Sequence, residues 1–200
     1  GRHDLGRPCS AQHRLRHRGQ GGATARQQDR ARGRSGPGLP HQPLSASGHP
    51  GGSLGCTDFL TALYFKVMKH NPSFNMDAKG EDVFVLSNGH ISPVFYSVLA
   101  RSGYFDIKEL GTFRKLNTRL QGHPATHEHL PGIRIASGSL GQGMSVAIGA
   151  ALSKKLNGDP QLVFSLHGDG ELDEGQIWEA VMFAAHHKVD NLISTIDWNG

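Results

Sequence analysis

Two spacings of apolar residues alternate along residues 45–200. In "TDFLTALYFKVMKH", Leu60, Leu63, Tyr64, Val67 and Met68 fall on one helical face, with Thr57 placed to cap its start. "EDVFVLSNGH" holds an unbroken apolar run, Val83–Leu86, which reads as a buried strand entering a Ser-Asn-Gly-His loop. "SPVFYSVLARSGYF" returns to helical spacing and stops at Gly103, and "IKELGTFRKLN" predicts a shorter helix. Residues 121–143 are loop-rich, with glycines at 122, 132, 138, 141 and 143. "MSVAIGAALSKKLNG" predicts a helix of small residues ended by Asn157-Gly158. Strand "QLVFSLHG", helix "EGQIWEAVMFAAHHK" and strand "NLISTID" follow. Short, wholly apolar strands between helices predict an α/β fold, a parallel sheet flanked by helices and incomplete at its C-terminal side.

Residues 1–44 have neither spacing. They contain no Val, Ile, Met or aromatic residue, and Arg, Gly, Gln, Pro and His dominate. Such a stretch buries too little apolar area to offset its conformational entropy, so disorder is expected. Three readings compete for it: a solvated tail, a basic nucleic-acid arm or organelle transit peptide, and an artefact such as translation in the wrong frame. Charge changes the picture here. The first fifty residues carry nine Arg against two Asp, whereas the remainder carries 12 basic and 15 acidic side chains. The formal net charge of +4 therefore belongs to the leading segment and argues for no nucleic-acid partner of the domain. The two cysteines, Cys9 and Cys56, form no disulfide framework, so a reducing, cytoplasmic setting is the default. No apolar run approaches the ~20 residues that span a bilayer.

Chemistry concentrates where apolar runs break. Strand 162–167, helix 174–188 and strand 191–197 form one βαβ unit, expected to be right-handed. Its strands point the same way, so Asp169 and Asn199 both lie just beyond strand carboxyl ends, where open α/β sheets place ligands. A carboxylate and an amide oxygen are hard donors suited to Mg²⁺ or Ca²⁺ that also keeps water and phosphate oxygens. Gly168 and Gly170 let backbone approach a phosphate. Taken singly, Gly-Asp-Gly and Asp-Trp-Asn-Gly are turns; at this spacing they predict diphosphate binding through a divalent cation. Glu171, Asp173 and Glu174 read as favourable charges at a helix start. Three histidines share one local pattern, each directly after a glycine in a predicted loop: His49 in "GHPGG", His90 in "SNGH" and His123 in "GHP". They stand either as surface decoration or as one polar site for proton handling or phosphate contact. "ASGSLGQG" is weak as a dinucleotide fingerprint but reasonable as a loop whose backbone approaches a cofactor.

"GHPGG", "VLSNGH", "QGHP", "SGSLGQG" and "GDGELDEGQIWEA" with "IDWNG" occur in the order found in transketolases. Residues 45–200 resemble the diphosphate-binding part of that family, closest to the short N-terminal subunit of split enzymes; residues 1–44 match nothing in it. The resemblance implies a thiamin diphosphate- and Mg²⁺-dependent enzyme that moves a two-carbon ketol unit between sugar phosphates. It implies metal ligands at Asp169 and Asn199, diphosphate contacts at Gly168, Gly170 and His90, and a cofactor-ring loop at Gly138 and Leu140. His49 and His123 would lie near the reacting carbons, and Glu174 would couple paired sites across a dimer interface, which replaces the helix-charge reading of Glu174. The pyrimidine domain, or a C-terminal subunit, would have to come from elsewhere, making this stretch inactive alone. Rival readings are a deoxyxylulose-phosphate synthase-like enzyme, a cofactor-binding module without chemistry, and an Arg-rich nucleic-acid binder.

Overall fold

β-Branched and aromatic side chains on both faces of a strand need a helical layer on each side, and that requirement sets the architecture. A computed structural model describes residues 48–199. Strands β1 (Val83–Leu86), β2 (Val163–Gly168) and β3 (Leu192–Asp197) form a parallel sheet in the order β1-β2-β3. Phe84, Leu86, Phe164 and Leu166 face one core with Leu60, Tyr64, Phe95 and Leu99. Val83, Val85 and Val163 face the other with Met144, Ala147, Ile148 and Ile177.

The first core is covered by helices α1 (Pro50–Gly55), α2 (Thr57–Ala62) and α3 (Ser92–Arg101). The "GHPGG" stretch, expected as loop, enters α1 directly, with Pro50 at its first position where a missing N–H costs nothing. Because α1 runs almost into α2, Thr57 has no free helix start to cap. Cys56 takes that position, and the Thr57 hydroxyl donates back to Ser53 O at 2.8 Å. A π turn over Leu63–Val67 ends the segment, with Met68 N–H bonded to Leu63 O. The extra residue in that turn rotates Val67 out to 60% exposure, whereas Leu60, Leu63, Tyr64 and Met68 stay buried as expected. Helix α3 stops as predicted: Gly103 takes φ +90°, its N–H meets Ala100 O, and Tyr104 N–H meets Leu99 O. The helix expected in "IKELGTFRKLN" is a 3₁₀ turn, Ile107–Thr112, whose first N–H groups fold onto Asp106.

The second core is covered by α4 (Gln142–Leu156) and α5 (Gly175–His186). Helix α4 ends at Asn157-Gly158 in the same six-to-one closure, Asp159 N–H to Lys154 O. Strand β3 departs from expectation. Ile193 and Ile196 are 45% and 41% exposed, so its apolar run is not buried on both faces. The expected disordered segment, residues 1–44, lies outside the described residues.

Candidate functional site

The register of the sheet decides what meets at its carboxyl end. Gly168 on β2 pairs with Asp197 on β3, so Asp169 and Asn199 leave neighbouring strands almost level. Asp169 Oδ1 accepts from Gly170 N–H at 2.8 Å, and its Oδ2 accepts from the backbone N–H of Asn199 at 3.4 Å. Both residues line a cleft of ≈ 200 Å³ together with His49, His90, Leu140 and Gly170. Gly168 also lines it, with space between its backbone, the Asn88 amide and the His90 ring.

Two of the three histidines, His49 and His90, line this cleft, and His123 lies near enough to act on His90. The His49 and His90 rings lie 4.9 Å apart, edge to face. His123 reaches the site from the loop before Gly138, which takes φ +122°; a Cβ there would fall 2.7 Å from the His123 ring. Burial, then the neighbouring His49 and His123, hold the His90 pKa below its ordinary value, opposed by the Glu171 and Asp197 carboxylates. That direction favours the uncharged ring, which donates a single N–H. Glu174 stands apart: it is exposed at the N-cap of α5 and does not line the cleft.

What holds the cleft in shape is Glu171, whose expected role was only a helix-terminal charge. It is 1% exposed. Its Oε1 accepts from Gly141 N–H at 2.8 Å and from the Ser87 hydroxyl, and its Oε2 accepts from Gly168 N–H at 3.0 Å. One carboxylate thus ties together the loops after β1 and β2 and the glycine-rich loop before α4. Burial, the largest single influence, acts to raise the Glu171 pKa. The nearby His167 ring, with hydrogen bonds from Ser87, Gly141 and Gly168, outweighs it and holds the carboxyl below its ordinary value. The Glu171 Oε2–His167 Nδ1 separation is 3.7 Å, with His167 itself fully buried. Gln176 completes the frame by donating to Leu140 O at 3.2 Å.

Comparison with known proteins places this geometry. The family model for the transketolase thiamine diphosphate binding domain matches residues 43–200. This chain belongs to the transketolase family. It is 44% identical over 155 residues to a 6-deoxy-6-sulfo-D-fructose transketolase subunit of Clostridium sp. (strain MSTE9), covering 76% of this chain and 54% of that protein. It is 39% identical over 154 residues to an apulose-4-phosphate transketolase subunit of Actinobacillus succinogenes, covering 77% of this chain and 55% of that one. The transketolase structure from Campylobacter jejuni superposes with a TM-score of 0.69 at 40% identity, over 76% of this chain and 25% of that one. The chain therefore spans about half the length of these curated relatives.

Within this transketolase-family domain, seven of the ten residues singled out in the sequence line the cleft, His123 and Gly138 lie against each other beside it, and Glu174 is outside it. Asp197, Asn88 and Glu171 also line it and were not singled out. Glu171 carried a readable signal: an acid three residues after Gly168 is the acidic half of a capping box, reaching back to the first N–H. Asn88 and Asp197 sat inside quoted motifs with nothing in their local spacing to set them apart. Among the described residues no group of three or more His, Cys, Asp or Glu is arranged to hold a metal. The donor set at Asp169 and Asn199 is instead two hard oxygens, which suits a cation that keeps several non-protein ligands. No helix among the described residues is long and apolar enough to cross a membrane.

Proposed function

We propose that this domain holds the diphosphate end of thiamin diphosphate through Mg²⁺, as one part of a two-part transketolase active site acting on sugar phosphates. The observation that carries this reading is the cleft itself. Asp169 and Asn199 meet at the carboxyl end of adjacent strands beside glycine backbone and the His90 ring. Buried polar atoms there fit the group: both polar atoms of Asn88 lack a protein partner. Ca²⁺ suits the same oxygens, with its wider shell of ligands.

When bound, the cofactor supplies an electron sink for a two-carbon acyl carbanion equivalent. The chain's own residues supply the rest. Asp169 and the Asn199 amide oxygen would hold the cation, and Gly168 and Gly170 leave room for phosphate oxygens against the backbone. His90 would donate its N–H to the diphosphate. Gly138 and Leu140 would bear on the cofactor rings, where Gly138 leaves His123 close to the loop backbone. His49 and His123 would polarise a substrate oxygen and carry protons near the reacting carbons. Glu174, exposed and outside the cleft, would act at a contact with a second protomer. Partnership with a pyrimidine domain or C-terminal subunit is supported by the relatives named as subunits.

The test is calorimetric titration of the whole chain with thiamin diphosphate, with Mg²⁺ and with chelator. Metal-dependent binding without turnover is expected from the chain alone. Turnover of xylulose 5-phosphate with ribose 5-phosphate, and none of pyruvate with glyceraldehyde 3-phosphate, is expected once a pyrimidine-domain partner is supplied. Failure to bind thiamin diphosphate under any metal condition would remove the proposal.

A further inference from the structure

Asn88 is the one cleft residue with two buried side-chain polar atoms that lack a partner. It follows β1 by two residues and is 1% exposed. Neither its Oδ1 nor its Nδ2 has a hydrogen-bond partner, and no other described side chain leaves two such atoms buried and unpaired. The neighbouring Ser87, equally buried, is spent on Glu171. A buried carboxamide without partners is destabilising, because its hydration is lost and nothing replaces it. Its placement gives that arrangement a use. The amide lines the cleft beside Asp169, and Nδ2 lies 3.9 Å from where a Cβ on Gly168 would be, with the His90 ring at 4.0 Å from the same point. Gly168 leaves that space open, and a carboxamide offers two N–H donors to whatever anion enters it.

We propose that Asn88 is a diphosphate ligand, its amide N–H donating to a phosphate oxygen seated against Gly168 and Asp169. This rests on the reading of the cleft as a metal–diphosphate site, and it assigns to a neutral amide a contact that charge alone would not locate. A donor aimed at an anion gives a stronger bond than one between neutral groups.

Removing the amide should therefore affect folding and binding in opposite senses. Asn88→Leu takes away the unpaired polar atoms at similar volume, so the ligand-free variant should unfold at the same or a higher temperature. Its affinity for thiamin diphosphate with Mg²⁺ should fall about 10- to 100-fold, and that for inorganic diphosphate with Mg²⁺ by the same factor. Asn88→Asp, which places a carboxylate against phosphate, should bind both probes more weakly than Asn88→Leu does. Wild-type affinity in either variant overturns the assignment while leaving the cleft reading intact. Thermal destabilisation of Asn88→Leu with no further loss of affinity in Asn88→Asp also overturns it, since that pattern belongs to a packing role. If the wild-type chain binds neither diphosphate, the reading of the cleft fails and the assignment with it.

Discussion

Strands β1 and β3 are both sheet edges, and their sequences, "VFVL" and "LISTID", are both rich in β-branched and apolar residues, yet they fare differently. Every residue of β1 is buried, because α2 and α3 cover one face, α4 the other, and the segment 132–137 passes beside Phe84 and Leu86. No residue of β3 reaches full burial. Leu192 packs on the α4–α5 core and Ser194 shares a hydrogen bond with Ser165, but Ile193, Ile196 and the following Trp198 are exposed, as are Trp178 and Met182 on α5. Apolar composition makes a strand; only the elements laid across it decide whether it is core. The same contrast runs through the site, since the β1–β2 side carries the buried Glu171 frame and the β3 side contributes Asp197 and Asn199 at an exposed end.

The frame should be the most sensitive point. Glu171→Ala would leave Gly141 N–H, Gly168 N–H and the Ser87 hydroxyl buried without an acceptor, costing about 3–5 kcal/mol by denaturant unfolding. A loss under about 1 kcal/mol would mean that water substitutes for the carboxylate and that the three loops are not held by it. The strands offer a direct pair of measurements. Leu166 on β2 is 1% exposed, and Leu166→Ala should cost about 2–5 kcal/mol; Ile193→Ala at the next strand should cost under about 1 kcal/mol. Comparable losses would show that β3 is covered in solution by something that buries Ile193.

Much of this was legible in the chain. The alternation of spacing gave the strands to within a residue of their ends, and glycine after the last helical residue marked the ends of α3 and α4. The one-excursion separation of Asp169 and Asn199 foretold their meeting, because parallel strands return to the same sheet edge. What could not be read shares a physical cause: it depends on contacts distant in sequence. Val67 fits the helical face until one extra residue in a π turn rotates it away. The spacing of Glu171 after Gly168 shows one local bond, but not that loops 30 and 84 residues distant turn their donors toward the same carboxylate. Ile193 looks like core until its neighbours are counted.

A smaller effect is expected in acid. Lys154 is buried on the α4 side, where its Nζ donates to Ala78 O, Glu81 O and Asp159 Oδ2 at 3.0, 2.8 and 2.9 Å. Gly80 N–H, then Lys154, hold the Asp159 carboxyl down to about 2 from an ordinary 3.8. An acid whose folded pKa is depressed adds stability above its unfolded pKa and loses it as pH falls through the folded value. Wild type should therefore lose stability between about pH 4 and pH 2 more steeply than Asp159→Asn, as followed by urea unfolding at stepped pH. Parallel profiles for the two proteins would show that the ion pair contributes nothing to folding.

The smallest expected effect is an absence of reaction, and it tests how tightly the buried side closes against the β3 end. Cys56 lies between α1 and α2, is 3% exposed, and faces the Asp197 carboxylate across the sheet end. Burial first, and then that carboxylate, push its thiol up to about 12. At pH 8 the thiolate fraction is then on the order of one in ten thousand, and thiolate is the species that alkylates. Native chain treated with iodoacetamide and mapped by mass spectrometry should carry no label at Cys56, whereas urea-unfolded chain should be labelled there in full. Asp197→Asn should leave Cys56 unlabelled as well, since burial is the larger cause. Labelling in that variant alone would mean that the carboxylate, and so the exposed end of β3, is what keeps the α1–α2 junction shut.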